Sequence, residues 1–358
     1  AYSTYLDSRI VVLSNIREEY HMSIFDFSSN NKCLIIAEAC DNHMGCMETA
    51  IEMCNQAKLS GADIIKFQHH LADEEMLEDS PMSDNFDEPL YDFLKKNALS
   101  LDNHKEIKKH CESIGITYLC TPFSYKAALE LMELDVCGFK IGSGEMTDIP
   151  SLLKIADLGK PMILSTGMST LDEIDATYNA LKDKCANLSL LNCVSEYPPI
   201  YEDINLNVIN VMQDRYPEAT IGHSDHTPDL YTCFAATALG AKIIEKHVIL
   251  DKKTPGPDQS VSIDFMDLKS LVDGIRKIEL SLGDDKSVHS KEKQIREWAF
   301  RSIVTTAKIK EGDVFSEENL WTKRPGTGIP SAKLPEILGK IAKNDIEINS
   351  LLKEEDIS

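Results

Sequence analysis

Long hydrophobic runs are missing from this chain: none approaches the roughly 20 apolar residues that a bilayer-spanning helix needs. The first residues also lack the apolar core of a signal peptide. Positive charge is in deficit, with 37 Lys and Arg against 59 Asp and Glu, a formal net charge of -22 and a pI near 4.8. That balance argues against nucleic acid and anionic membrane surfaces as partners. It leaves anionic small molecules open, because a pocket follows its local field. Cysteine is not scarce, at 10 residues, but no CxxC pair and no regular framework appears. Cys33, Cys120, Cys137 and Cys193 lie within apolar runs, where a free thiol behaves as a small buried hydrophobe. A reducing cytoplasm and a soluble protein are the expectation.

What is present is a repeat of eight short apolar runs. They are LIIAEA (34–39), DIIKFQ (63–68), ITYLCT (116–121), CGFKIG (137–142), PMILST (161–166), LSLLNC (188–193), ATIGHS (219–224) and KIIEKH (242–247). Polar residues sit at or just past their C-terminal ends: Glu38, Lys66 with Gln68, Thr121, Lys140 with Ser143, Ser165, Ser195, Ser224 with His226, and His247. Amphipathic stretches long enough for a helix separate them. This pattern predicts an α/β fold, a (β/α)8 barrel (TIM barrel) with its functional face at the C-terminal strand ends. It points to an enzyme.

Residues 1–32 read as an N-terminal extension with an apolar patch at Ile10–Leu13, and 33–283 as the barrel. A helix is expected near Met47–Ser60, ending at Gly61, another over His104–Ser113, and the eighth over Met266–Leu282. The acidic stretch Asp73–Glu88, with Pro81, reads as a loop over the barrel mouth. Residues 284–298 are expected to be a linker. Residues 299–358 are expected to form a small β-rich domain, with a strand at Ser302–Ala307, a turn at Lys310–Asp313 and a short helix at Lys333–Leu338.

Closing the barrel puts strand 1 beside strand 8, and strand 8 beside strand 7, so Glu38, His247 and His226 can converge. Alternation places Glu245 and His247 on one face of strand 8, with Lys246 opposite. Two imidazoles with no obvious third protein ligand suit an open divalent metal site, favouring Mn²⁺, with Mg²⁺ or Co²⁺ as alternatives. Lys66 and Lys140 each interrupt an apolar strand, where an unpaired ammonium is costly. A bound phosphate or carboxylate would compensate them, as would an internal salt bridge, for example to Glu145. Hydroxyls at Thr121, Ser143, Ser165, Ser195 and Ser224 suit the same anion. Glu38 at the mouth can serve as a general base or position a water.

The segments AEACDNH, IIKFQ, LCTPFS, KIGSGEMTDIP, ILSTGMSTLDEI, NCVSEYPP, DINL, IGHSDHT, ALGAKIIEKHVILDK, GPDQSVS and KRPGTGIP, in this order, resemble the sialic acid synthase family across roughly residues 33–350. The C-terminal part resembles that family's antifreeze-like (SAF) domain. The resemblance implies condensation of phosphoenolpyruvate with an N-acylated hexose and water, giving a nine-carbon 2-keto sugar acid and phosphate. It implies that His226 and His247 hold the metal, and that Lys66, Lys140, Thr121, Ser143, Ser165, Ser195 and Ser224 hold phosphoenolpyruvate. Glu38 would handle proton or water chemistry. Gln68, Tyr197 and Asp258 would lie on the sugar side or support it. It further implies a homodimer whose SAF domain covers the partner's barrel, with Arg324 completing the neighbouring site.

Cys40 and Asp41 depart from the small apolar and glycine-rich residues usual after the catalytic Glu. The acidic insertion, with Asn85 and Asn97, leaves the acceptor open between N-acetylmannosamine and a diacetamido-trideoxyhexose; Asp258 in GPDQS leans towards the sialic and legionaminic branch. Two other readings compete. One is a Schiff-base pyruvate lyase using Lys140 or Lys66; the other is a non-catalytic protein whose SAF module meets ice or carbohydrate.

Overall fold

Eight parallel strands pair in chain order and close on themselves: β1 Leu34–Glu38, β2 Ile64–His69, β3 Thr117–Pro122, β4 Phe139–Ile141, β5 Met162–Ser165, β6 Leu188–Cys193, β7 Thr220–Asp225 and β8 Ile243–His247. This is a computed structural model, and it describes residues 32–81, 86, 88–185 and 187–358. The expected N-terminal extension, Asn85 and part of the acidic loop lie outside the described residues.

Strand alternation sorts the side chains into two populations. Outward residues such as Ile35, Ala37, Ile65, Phe67, Phe139, Ile141 and Leu164 join the large core beneath the surrounding helices. Inward residues Leu34, Ile36, Ile64, Leu119, Ile163, Leu191 and Ile243 form a separate cluster that plugs the barrel. Continuing these inward series by two or four residues reaches Glu38, Lys66, Thr121, Ser165, Ser195, Glu245 and His247, and Ser224 on β7 joins them through its register with Glu245. The polar rim is therefore the top layer of a packed apolar plug, as layered filling of such barrels requires.

Local signals set the helix ends. Met47–Ser60 stops at Gly61, whose φ of 86° lets its N–H reach Ala57 O and Lys58 O. The expected helix at His104–Ser113 is longer, Leu101–Ile114, because Ser100 and Asn103 form a capping box at its start. The eighth helix runs Phe265–Ser281, opened by Asp264 accepting from Met266 N and Asp267 N. The acidic stretch expected as a loop, Asp73–Glu88, opens within a short helix, Ala72–Glu75, and a second helix, Leu90–Asn97, follows it.

The chain divides into two units between Leu282 and Gly283. In the second, β9 Ser302–Thr305 pairs antiparallel with β10 Leu320–Lys323. Its own core gathers Ile303, Ile309, Phe315, Leu320, Ile329 and Leu352 among others. The stretch 284–298, expected as a linker, holds most of a ten-residue helix, Ser290–Ala299, with no buried residue. Glu292 caps its start by accepting from His289 N, a local signal that the turn-rich composition masked. No helix among the described residues is long and apolar enough to cross a membrane. All ten cysteines are free thiols, and only Cys46 is exposed.

Candidate active site

The C-terminal strand ends surround a cavity of about 370 Å³, within the usual range for small-molecule sites. Thirteen of the fourteen residues singled out in the sequence line it: Glu38, Lys66, Gln68, Thr121, Lys140, Ser143, Ser165, Ser195, Tyr197, Ser224, His226, His247 and Asp258. Arg324 belongs to the second unit, where its Nε donates to Ala299 O at 3.0 Å and its guanidinium lies 5.3 Å from the Trp298 ring centre.

Strand register explains the charged floor. Glu38 sits opposite Lys66 across β1 and β2 and opposite His247 across β1 and β8, while Ser224 sits opposite Glu245. Lys66 Nζ is 3.0 Å from Glu38 Oε2 and 3.5 Å from Glu245 Oε2; Lys140 Nζ is 3.6 Å from Glu245 Oε1. The lysines are thus paired, through Glu245 and Glu38 rather than the Glu145 weighed from sequence. Glu145 also lines the cavity, but its Oε2 has no hydrogen-bond partner among the described residues. Lys140 Nζ donates to Ser165 Oγ at 2.7 Å, Lys66 Nζ to Thr121 Oγ1 at 3.2 Å, and Ser224 Oγ to Glu245 Oε1 at 2.9 Å.

These groups titrate as a unit. Burial pushes Glu38 up to about 7; Lys66 opposes the shift and Glu245 adds to it. Burial would raise Glu245 too, but Lys140 and Lys66 outweigh it and hold that carboxyl below its ordinary value. Burial, with Lys66 nearby, lowers Lys140 despite Glu245. The floor thus carries two cations, one firmly ionised carboxylate and one that gains or loses a proton near neutrality.

Sequence reasoning missed the support for Glu38. Gln68 Nε2 donates to Glu38 Oε1 at 2.7 Å, and His70 Nε2 donates to Gln68 Oε1 at 3.0 Å. His70 Nδ1 faces Glu75 at 3.0 Å, and its ring stacks on Phe123 with centres 4.2 Å apart. With an acceptor at each nitrogen, His70 has a raised pKa even though burial opposes it. Gln68, expected on the sugar side, uses both ends of its amide to orient Glu38. The His69–His70 doublet closing β2 was the available signal.

Gly167 brings two serines together. A Cβ there would fall 2.2 Å from Ser195 Oγ and 2.8 Å from Ser143 Oγ, so a side chain at 167 would push these hydroxyls from their places. Its N–H donates to Ser143 Oγ at 3.0 Å.

His226 Nδ1 donates to Val194 O at 2.6 Å, which leaves Nε2 as the nitrogen not engaged by the backbone. Its ring stacks on Tyr197 at 4.4 Å and lies 5.1 Å from that of His247. Burial works against charge on His226, but Cys193 in its thiolate form, 3.9 Å away, with the Val194 carbonyl and Asp225, draws it up to about 9, so a cation binding at Nε2 would displace a proton there. Burial, then His226, holds His247 well below its ordinary value and so neutral. His247 Nδ1 is buried without a hydrogen-bond partner among the described residues. Ligand atoms of Cys40, His247 and Asp258 lie within 4.8 Å of one another. A buried imidazole beside a thiol sulfur and a carboxylate oxygen fits a divalent cation. Only two imidazoles were legible in the sequence, since Cys40 and Asp258 arrive from loops.

The barrel chain resembles known proteins along most of its length. Residues 53–287 match the NeuB family and residues 300–358 the SAF domain. The N,N'-diacetyllegionaminic acid synthase of Campylobacter jejuni is 40% identical over 334 residues, covering 90% of this chain and 99% of that protein. A pseudaminic acid synthase of the same species is 35% identical over 347 residues, covering 94% and 99%. The crystal structure of an N-acetylneuraminic acid synthetase from Leptospira borgpetersenii, in complex with citrate, superposes with a TM-score of 0.68 at 30% identity, covering 74% of this chain and 90% of that one. An eight-stranded barrel with its polar rim, followed by a SAF domain, is the architecture of a NeuB family protein, and this chain belongs to that family.

Proposed function

We propose that this protein condenses phosphoenolpyruvate with an N-acylated hexose, taking up water and releasing phosphate, to give a nine-carbon 2-keto sugar acid. The relatives, synthases of legionaminic, pseudaminic and sialic acids, support formation of a nonulosonic acid. The observation that carries the substrate assignment is the Lys66–Lys140 pair, ringed by Thr121, Ser143, Ser165, Ser195 and Ser224 in one cavity. Two ammonium groups and five hydroxyls match a ligand bearing both a carboxylate and a phosphate.

Each side chain has a defined task. Lys66 and Lys140 hold the two anionic groups, so the enol carbon is fixed against the acceptor aldehyde and proximity lowers the barrier. Glu38, aimed by Gln68 and His70, takes a proton from the water that captures the developing positive charge at C2. Tyr197 and Asp258 line the sugar end. His247 and His226 would hold a divalent cation, Mn²⁺ on nitrogen and oxygen donors alone, which when bound supplies Lewis-acid polarisation. The acceptor is N-acetylmannosamine or a diacetamido-trideoxyhexose.

The deciding experiment incubates the protein with Mn²⁺, phosphoenolpyruvate and a panel of N-acylated hexoses, and reads phosphate and product mass. Acceptor-dependent phosphate release is expected; none with any acceptor would overturn the proposal. Lys140, lowered by burial, also suits a Schiff-base lysine. Borohydride trapping of pyruvate on Lys140 would transfer the assignment to a lyase.

The second unit is assigned to cover the barrel of a partner copy in a homodimer, with Arg324 facing the sugar there. Arg324→Ala should raise the sugar KM about tenfold or more with an unchanged circular dichroism spectrum. Unaltered KM and kcat would remove that role.

A further inference from the structure

We propose that Cys40 is a thiolate ligand of the cation, completing with His247 and Asp258 a sulfur–nitrogen–oxygen site that prefers Zn²⁺ or Co²⁺ to Mn²⁺. The inference rests on the reading of a cation at His247 given above, and it changes which cation that is.

Cys40 lies two residues beyond Glu38, fully buried, with a backbone φ of 40°. That is left-handed territory, where a residue with a Cβ is strained and glycine is at ease. A strained, buried, non-glycine residue at a site needs a compensating interaction. Its sulfur has two candidates within reach, a nitrogen of His247 and an oxygen of Asp258, all mutually within 4.8 Å. In a tetrahedral zinc site, bonds of about 2.0–2.3 Å separate neighbouring ligand atoms by about 3.5 Å. Side-chain rotation of about 1 Å or less would close the trio onto an ion.

The second, independent observation is the His247 ring. It is buried, faces the cavity and has Nδ1 without a hydrogen-bond partner among the described residues. A neutral imidazole with an unused nitrogen is a ligand awaiting a Lewis acid. Three protein ligands leave the fourth position for water, substrate oxygen or His226 Nε2, as open catalytic sites require. A thiolate in the set shifts preference away from hard ions such as Mn²⁺ and Mg²⁺. On binding, the S–H proton leaves to solvent as the sulfur–metal bond forms; no electron is transferred.

The test titrates chelator-treated, full-length protein with Co²⁺, Cd²⁺ and Mn²⁺ in the absence of substrate, comparing wild type with Cys40→Gly. Glycine accepts the φ of 40° without strain, so the variant should fold. Wild type should show a near-ultraviolet thiolate-to-cobalt charge-transfer band that Cys40→Gly loses. Cd²⁺ affinity should fall about tenfold or more in the variant, while Mn²⁺ affinity changes by less than about threefold. A band retained in the variant belongs to another of the ten thiols and overturns the inference, as does wild-type Co²⁺ binding with no band, or no Co²⁺ binding at all. Because the spectra are read without substrate, acceptor-dependent phosphate release alongside a missing band would leave the synthase reading standing and remove only Cys40.

Discussion

Glu38→Gln should lower turnover by about 10²–10⁴-fold while the protein stays folded, the range expected on losing a positioned general base. The amide keeps the shape of the side chain and still meets Gln68, so geometry is nearly conserved. What disappears is a carboxylate that burial, reinforced by Glu245, raises to about 7 against the pull of Lys66. The base must be ionised to accept a proton. Wild-type rate should therefore climb as pH rises through about 7, and the residual rate of the variant should lack that limb. Measuring kcat and kcat/KM across the pH range checks both parts. Near-normal turnover in Glu38→Gln, or the same rising limb in both proteins, would remove Glu38 from the chemistry.

Asp225→Asn should destabilise the barrel by about 3–5 kcal/mol, because it breaks a buried ion pair and leaves a lysine uncompensated. Lys246 is fully buried on the outer face of β8, and its ammonium meets Asp225 Oδ2 and the Thr227 carbonyl. The same carboxylate accepts from Thr227 Oγ1 and Thr232 Oγ1, both at 2.7 Å, and lies 3.3 Å from His223 Nε2. Burial alone would raise this acid, but His223 and Lys246 outweigh it and hold it well below the usual carboxylate range. The sign follows from linkage. A depressed folded-state pKa contributes stability that is fully present above the unfolded value of about 3.9 and is lost as pH falls below it. Denaturant unfolding at neutral pH should thus separate wild type from variant most widely, and the gap should narrow in acid. An unchanged denaturation midpoint, or a gap that persists in acid, would refute this account.

The motif IGHSDHT shows how unevenly a sequence discloses its parts. Ser224 and His226 are legible as polar groups at the C-terminal end of the seventh apolar run. Asp225, between them, has the opposite parity, and nothing local says that it meets Lys246 of the next strand. His70 was passed over for a similar reason: it matters through contacts with Gln68 and Glu75, and the latter sits on a helix inside what read as a loop. The helix Ser290–Ala299 inside the expected linker went unread because a charged, solvent-facing helix has little apolar periodicity to announce it.

By itself the sequence determined the closed eight-stranded architecture and the rim on which polar groups collect. Both follow from strand alternation and inter-strand order, which are local and periodic; Tyr197 and Asp258, which also line the cavity, were legible only through the family resemblance. Only the tertiary structure decided that Glu245 and Glu38, and not Glu145, pair with the two lysines, that Gln68 orients Glu38, and that Cys40 and Asp258 come beside His247. Those contacts join loops and strands distant in the chain, and angstrom-scale distances between such segments are set by packing, on which a periodic pattern is silent.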